Sequence, residues 1–224
     1  MHPIIQIAGV IDKEEAALLC KAGVTHIGFP LRISGGREDL SESEAKSIIS
    51  SIGSSVATGL ITYLDDSDEV VDFSDYLGVG GVQLHGPISE ANLEKIRMQR
   101  PGLFIIKSLI VRMNNLSELE KEVSRFHHFV DAFITDTYDP NTGRTGATGK
   151  THDWVVSRRL AELSPKPVIL AGGLTPENVR AAITKVRPAG VDAHTGVEGP
   201  DGRKDPALVA EFIFEARRAF RLIE

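Results

Sequence analysis

The chain has 224 residues, of which 42% are hydrophobic and only 6% aromatic, so it can bury a sizeable and mainly aliphatic core. Its 25 basic and 31 acidic residues give a formal charge of −6, which leaves no electrostatic footprint for nucleic acid or for an anionic membrane surface. The one cysteine, Cys20, excludes an intramolecular disulfide and suits a reducing compartment.

At the N-terminus, MHPIIQIAGVIDKEE offers only a short apolar run before charges begin. It lacks the basic start and longer apolar stretch of a signal peptide. No apolar run approaches the roughly 18 residues that span a bilayer. The expected location is the cytoplasm.

Short apolar runs then alternate with amphipathic stretches. The strand candidates, in chain order, are PIIQIA from Pro3, THIGF from Thr25, SVATGLIT from Ser55 and GVQLH from Gly81. They continue with LFIIKSLIV from Leu103, DAFITD from Asp131, KPVILA from Lys166 and GVDAHT from Gly190. The first helix candidate, DKEEAALLCKAG, opens on Asp12 with Glu15 three residues on and ends at Gly23. SESEAKSIISSIG repeats the device with Ser41 and Glu44. The stretch Val70–Tyr76 is the shortest helix candidate, and DWVVSRRLAEL, NVRAAITKV and PALVAEFIFEARRAF follow later.

Several strands read as unbroken aliphatic runs, the mark of parallel strands covered on both faces. Eight near-equal strand–helix units with no linker point to one closed (β/α)8 TIM barrel, an α/β fold spanning residues 1–224. The longest irregular stretch is YDPNTGRTGATGK, Tyr138–Lys150, and loops of that length are usually functional.

In such barrels the active site is built from the loops after the strands, with phosphate commonly held after the last two. The seventh strand runs into Ala171-Gly172-Gly173-Leu174-Thr175-Pro176, and the eighth into His194-Thr195-Gly196-Val197. Adjacent glycines let backbone N–H groups approach an anion, so Gly172, Gly173, Thr195 and Gly196 are read as a phosphate cradle rather than as tight turns alone. Asp136 closes the sixth strand, where a carboxylate faces the mouth as a general acid or base, or else caps a turn. Lys107 sits in the fifth strand, read either as facing the mouth or as paired with a carboxylate such as Asp136 or Asp192. His85 closes the fourth strand. Arg37, after the second, is either a solvated side chain or a fork for a substrate carboxylate. The seven histidines show no metal-ligand spacing, so no metal and no cofactor are expected.

Several segments together resemble phosphoribosylanthranilate isomerases. They are Gly81-Val82-Gln83-Leu84-His85-Gly86, Asp136-Thr137 with the glycine-rich loop and His152-Asp153-Trp154, and Leu170-Ala171-Gly172-Gly173-Leu174 followed by Pro176-Glu177-Asn178-Val179. The last is Gly190-Val191-Asp192 with Gly196-Val197-Glu198 and Lys204-Asp205-Pro206. The resemblance runs along most of the chain. It implies an Amadori rearrangement of an aminoaldose phosphate to an aminoketose phosphate in tryptophan biosynthesis.

The resemblance also implies that Asp136 is the general acid and that Arg37 holds the anthranilate carboxylate. The family's general base is a cysteine in Lys-x-Cys-Gly on the first strand. This chain reads Gln6-Ile7-Ala8-Gly9 there, so the base position is Ala8. The family's Ser-Ser pair after the eighth strand is His194-Thr195, which makes His194 a candidate substitute base. The expected partner is a phosphorylated small molecule, on a monomer or homodimer. Two other readings stay open: another sugar-phosphate isomerase, epimerase or Schiff-base lyase, and a non-catalytic binder of a phosphorylated metabolite.

Overall fold

The computed structural model describes residues 3–33, 40–141, 143 and 149–223. Its strands are β1 (Ile4–Ala8), β2 (His26–Pro30), β3 (Ala57–Thr62), β4 (Gly81–Leu84), β5 (Phe104–Val111), β6 (Ala132–Thr137), β7 (Val168–Leu170) and β8 (Gly190–Ala193). The helices between and after them are α1 (Lys13–Ala22), α2 (Glu42–Ile49), α3 (Ser67–Leu77), α4 (Glu90–Gln99), α5 (Leu116–Phe126), α6 (Trp154–Leu163), α7 (Pro176–Val186) and α8 (Pro206–Ile223). All strands are parallel and the sheet closes on itself, β8 pairing with β1. The expected TIM barrel is therefore the fold.

Alternation along each strand explains why the strands read as apolar throughout. One set of side chains, Ile4, Ile106, Ala132, Ile134, Ile169 and Ala171, fills the barrel interior. The opposite set, including Ile5, Ile7, Ile27, Phe29, Leu84, Phe133 and Val191, packs outward against the helices.

Local signals hold at the helix starts. Asp12 Oδ1 accepts from Glu15 N at 2.9 Å, and Ser41 with Glu44 forms a full capping box. Glu15 does more than cap. Its buried carboxylate also accepts from Ile11 N at 3.2 Å and Lys204 N at 3.0 Å, tying the first loop to the last. The helix expected near Val70–Tyr76 is longer than its apolar run, because Asp66 caps it at the start and Gly78 ends it. No described helix is long and apolar enough to cross a membrane.

Candidate active site

The C-terminal ends of the strands carry the polar side chains. Asp136 lies on the inward face of β6, in register with Ile110. Its Oδ1 accepts from Thr137 N at 2.7 Å. Burial pushes the Asp136 carboxyl up to about 7, against that hydrogen bond, and the nearby Asp192 adds to the rise. An acid poised near neutrality has a proton to give.

Asp192 is the second carboxylate. It faces inward from β8, opposite Gln6 of β1. Burial raises it to about 6, while the Gln6 amide and the Lys204 ammonium pull the other way. From Gln6 a polar chain crosses the barrel. Gln6 Nε2 donates to Gln83 Oε1 at 3.3 Å, and Gln83 Nε2 reaches Ser108 Oγ at 3.5 Å. Ser108 Oγ meets His85 Nδ1 at 3.1 Å. The His85 ring also packs against Tyr63, centroids 5.0 Å apart. His85 is buried just beyond β4, and Gln6, Gln83, Ser108 and Asp192 join it in this chain although the sequence did not single them out as site residues. The signal that would have found them is their place at inward, period-two positions of β1, β4, β5 and β8.

Lys107 is a correction. Ile106 and Ser108 face the barrel interior, so the residue between them faces the helices. Its Nζ donates to the carbonyls of Gly86, at 3.1 Å, and Ser108, at 3.0 Å, and it pairs with neither Asp136 nor Asp192. Burial lowers its pKa to about 8, with Glu122 of α5 opposing. Lys107 holds the β4–α4 turn from behind and points away from the barrel interior. Arg37 lies outside the described residues.

The two glycine-bearing loops meet. A Cβ on Gly196 would lie 1.9 Å from the Leu174 carbonyl oxygen, so only glycine lets the loops close this far. Gly172 and Gly173 have φ of 94° and 60° and face the β6–α6 connection, where a Cβ on Gly172 would lie 2.1 Å from Thr137 Oγ1. Among the described residues, no partner takes the N–H of either glycine. The Asn178 side chain sets the loop's shape, accepting from Thr175 N at 2.9 Å and donating to the Gly173 carbonyl at 2.8 Å. Thr195 and Gly196 lie in a 3-10 turn, Thr195–Val197, directly after β8.

His152 anchors the same region. Its Nδ1 lies 2.9 Å from Thr137 Oγ1, its Nε2 lies 2.6 Å from Ser157 Oγ, and Ser157 Oγ continues to Thr135 Oγ1 at 3.2 Å. Burial holds this imidazole neutral down to about pH 4.

His194 lies beside the end of β1, its Nε2 3.6 Å from Glu198 Oε1. Burial, and then the Lys204 charge, lower its pKa to about 3. Lys204 Nζ is fully buried, donating to Glu198 Oε1 at 2.5 Å and to the His194 carbonyl at 3.1 Å.

The sequence profile of the N-(5'-phosphoribosyl)anthranilate (PRA) isomerase family matches residues 5–215. The chain belongs to this family. A PRA isomerase from Methanothrix thermoacetophila is 36% identical over 213 residues, covering 95% of this chain and 97% of its own. One from Methanosarcina mazei is 35% identical over 217 residues, covering 96% and 95%. Among solved structures, PRA isomerase from Thermotoga maritima superposes with a TM-score of 0.81 at 28% identity, covering 97% of this chain and all of its own. Another PRA isomerase, solved with reduced 1-(o-carboxyphenylamino)-1-deoxyribulose 5-phosphate, superposes with a TM-score of 0.80 at 26% identity and the same coverage. Within the PRA isomerase fold, this member carries Ala8 and Gln6 on β1 and an imidazole after β8.

Proposed function

We propose that this chain catalyses the Amadori rearrangement of N-(5'-phosphoribosyl)anthranilate in tryptophan biosynthesis, with Asp136 as general acid. The observation that carries the reading is the Asp136 carboxyl. It stands at the strand end where the family resemblance puts the acid, and burial raises it to about 7. Its proton goes to the furanose ring oxygen as the C1–O bond breaks and the nitrogen lone pair closes an iminium at C1. The N–H groups of Gly172, Gly173, Thr195 and Gly196 would hold the phosphate, Arg37 the anthranilate carboxylate, and His85 a sugar hydroxyl. The enzyme works in the cytoplasm on this reading, as a monomer or a homodimer.

Ala8 carries no group that moves a proton, so the C2 proton goes elsewhere. His194 is in the right neighbourhood, but an imidazole whose conjugate acid forms only near pH 3 is a weak acceptor. It serves better as a neutral wall and hydrogen-bonding group at the β1 end. That change of wall is also what favours the second reading, a different phosphorylated sugar on the same site.

The test is direct. PRA is generated in place and its disappearance followed by fluorescence, with the parent beside Asp136→Asn. The expected result is turnover by the parent, lost in the variant. A parent without turnover rejects the reading and turns the search to other sugar phosphates. An active Asp136→Asn removes Asp136 from the acid role.

A further inference from the structure

We infer that Asp192 is the general base of this enzyme, taking the C2 proton from the iminium in place of the group missing at Ala8. The inference rests on the function proposed above.

Geometry carries it. β8 lies against β1 in the closed ring, with Asp192 opposite Gln6 and Ala193 opposite Ile7. Gln6 and Ala8 share the inward face of β1, so Asp192 enters the barrel from the next strand, one inward position below Ala8. Along the wall from β6 to β8, Thr135 pairs with Leu170, and Leu170 with Val191. The next tier up therefore holds Asp136, Ala171 and Asp192. Both carboxylates point inward from that tier, near enough for the Asp192 charge to raise the Asp136 carboxyl.

Asp192 is also unfinished as a structural residue. Its Oδ1 is buried and has no hydrogen-bond partner among the described residues. A carboxylate kept only for structure would have that oxygen paired, because an unpaired buried one is costly. Oδ1 therefore keeps a lone pair that no group among the described residues uses, which a base requires. The two environments also divide the labour as an acid–base pair requires, with Asp136 raised to about 7 and Asp192 to about 6. Gln6 matters for the same reason. Its amide steadies Asp192 where a lysine, the family residue, would lock it in an ion pair.

The steps balance. Asp136 gives its proton to the ring oxygen and the iminium forms. Asp192 carboxylate takes the C2 proton, the C2–H pair becomes the C1=C2 bond, and the iminium electrons return to nitrogen. The C2 hydroxyl then gives its proton to Asp136 carboxylate as C2=O forms, and C1 takes the proton held by Asp192. Both carboxyls end as they began.

The experiment uses the full chain in the fluorescence assay, with Asp192→Asn, Ala8→Cys and the double variant, each checked for folding by thermal unfolding. Asp192→Asn should lose about 10²–10⁴-fold in kcat/KM. Adding Ala8→Cys, which restores a thiol at the β1 end, should recover at least about tenfold of that loss. In Asp192→Glu, substrate deuterated at C2 should show a larger isotope effect than in the parent. Folded Asp192→Asn within about threefold of the parent overturns the inference, as does a slowed Asp192→Glu with an unchanged isotope effect. A double variant that stays dead while Ala8→Cys alone is active also overturns it. A parent without turnover rejects the underlying function, which separates the two failures.

Discussion

The His194 imidazole lies where a side chain on Gly9 would stand: a Cβ built there falls 2.1 Å from His194 Nε2. Gly9 also has φ of 80°, a left-handed backbone that L side chains rarely adopt. Two demands thus fall on one glycine at the end of β1. Gly9→Ala should cost roughly 1–2 kcal/mol from backbone strain alone, and the displaced imidazole should lower turnover further. Adding His194→Ala should restore part of the activity but not the strain. Urea unfolding and kcat/KM of the single and double variants check this; strictly additive losses in both would mean that the two residues do not compete for space.

The Asp136 charge is expected to weaken the fold at high pH. Its folded pKa, about 7, stands above the ordinary 3.8. Its contribution is therefore complete below about pH 4 and is lost as pH rises through 7. Asp136→Asn should be more stable than the parent at pH 8, by at most on the order of 4 kcal/mol, and little different at pH 4. Thermal unfolding at the two pH values measures the difference. Activity should fall as pH climbs through the same range, because the acid then lacks its proton.

His152 runs the other way. Its folded pKa, about 4, is below the ordinary 6.5, so its contribution is present above 6.5 and lost as pH falls through 4. His152→Phe strands the hydroxyls of Thr137 and Ser157 and should cost roughly 1–3 kcal/mol at pH 7. The penalty should shrink by pH 4, where the parent loses its own gain. Unfolding curves at pH 7 and 4 decide it, and a penalty that does not change with pH would show that only packing was lost.

Below the Gln6–Gln83 contact the barrel is under-filled. A cavity of about 120 Å³ is lined by Gln6, His26, Gly59, Gly81, Gln83 and Phe104 among others. A Cβ on Gly59 would meet nothing closer than the Gly81 carbonyl oxygen at 3.8 Å. Gly59→Ala should therefore stabilise by about 0.4–1 kcal/mol without touching kcat/KM. A loss of stability would mean that the cavity is needed as it stands.

The barrel was legible because its strands and caps are strong local signals. The run from Leu103 to Val111 and the Asp12 and Ser41 helix starts each say one thing. Which way a side chain points was less legible. In a parallel strand both faces are apolar, so the apolar pattern alone does not assign Lys107 to a face. Its polar neighbour Ser108 was the clue, since adjacent residues face opposite ways and the costlier polar group went behind, under the carbonyls of Gly86 and Ser108. Asp136, His85 and the glycine loops stand out as candidates because they sit at strand ends. Asp192 and Gln6 were seen only as neighbours of something else, because their partnership spans the seam between first and last strands.

That seam has an evolutionary consequence. In an open sheet, β1 and β8 would be far-off edges, and a group lost from one could not be replaced from the other. In a closed ring they are adjacent, so a duty vacated near the start of a gene can pass to a codon near its end with no change in the backbone. A carboxylate that the last strand already carries can then take up the work of a thiol lost from the first, so an empty position on one strand does not by itself mean that the chemistry has died.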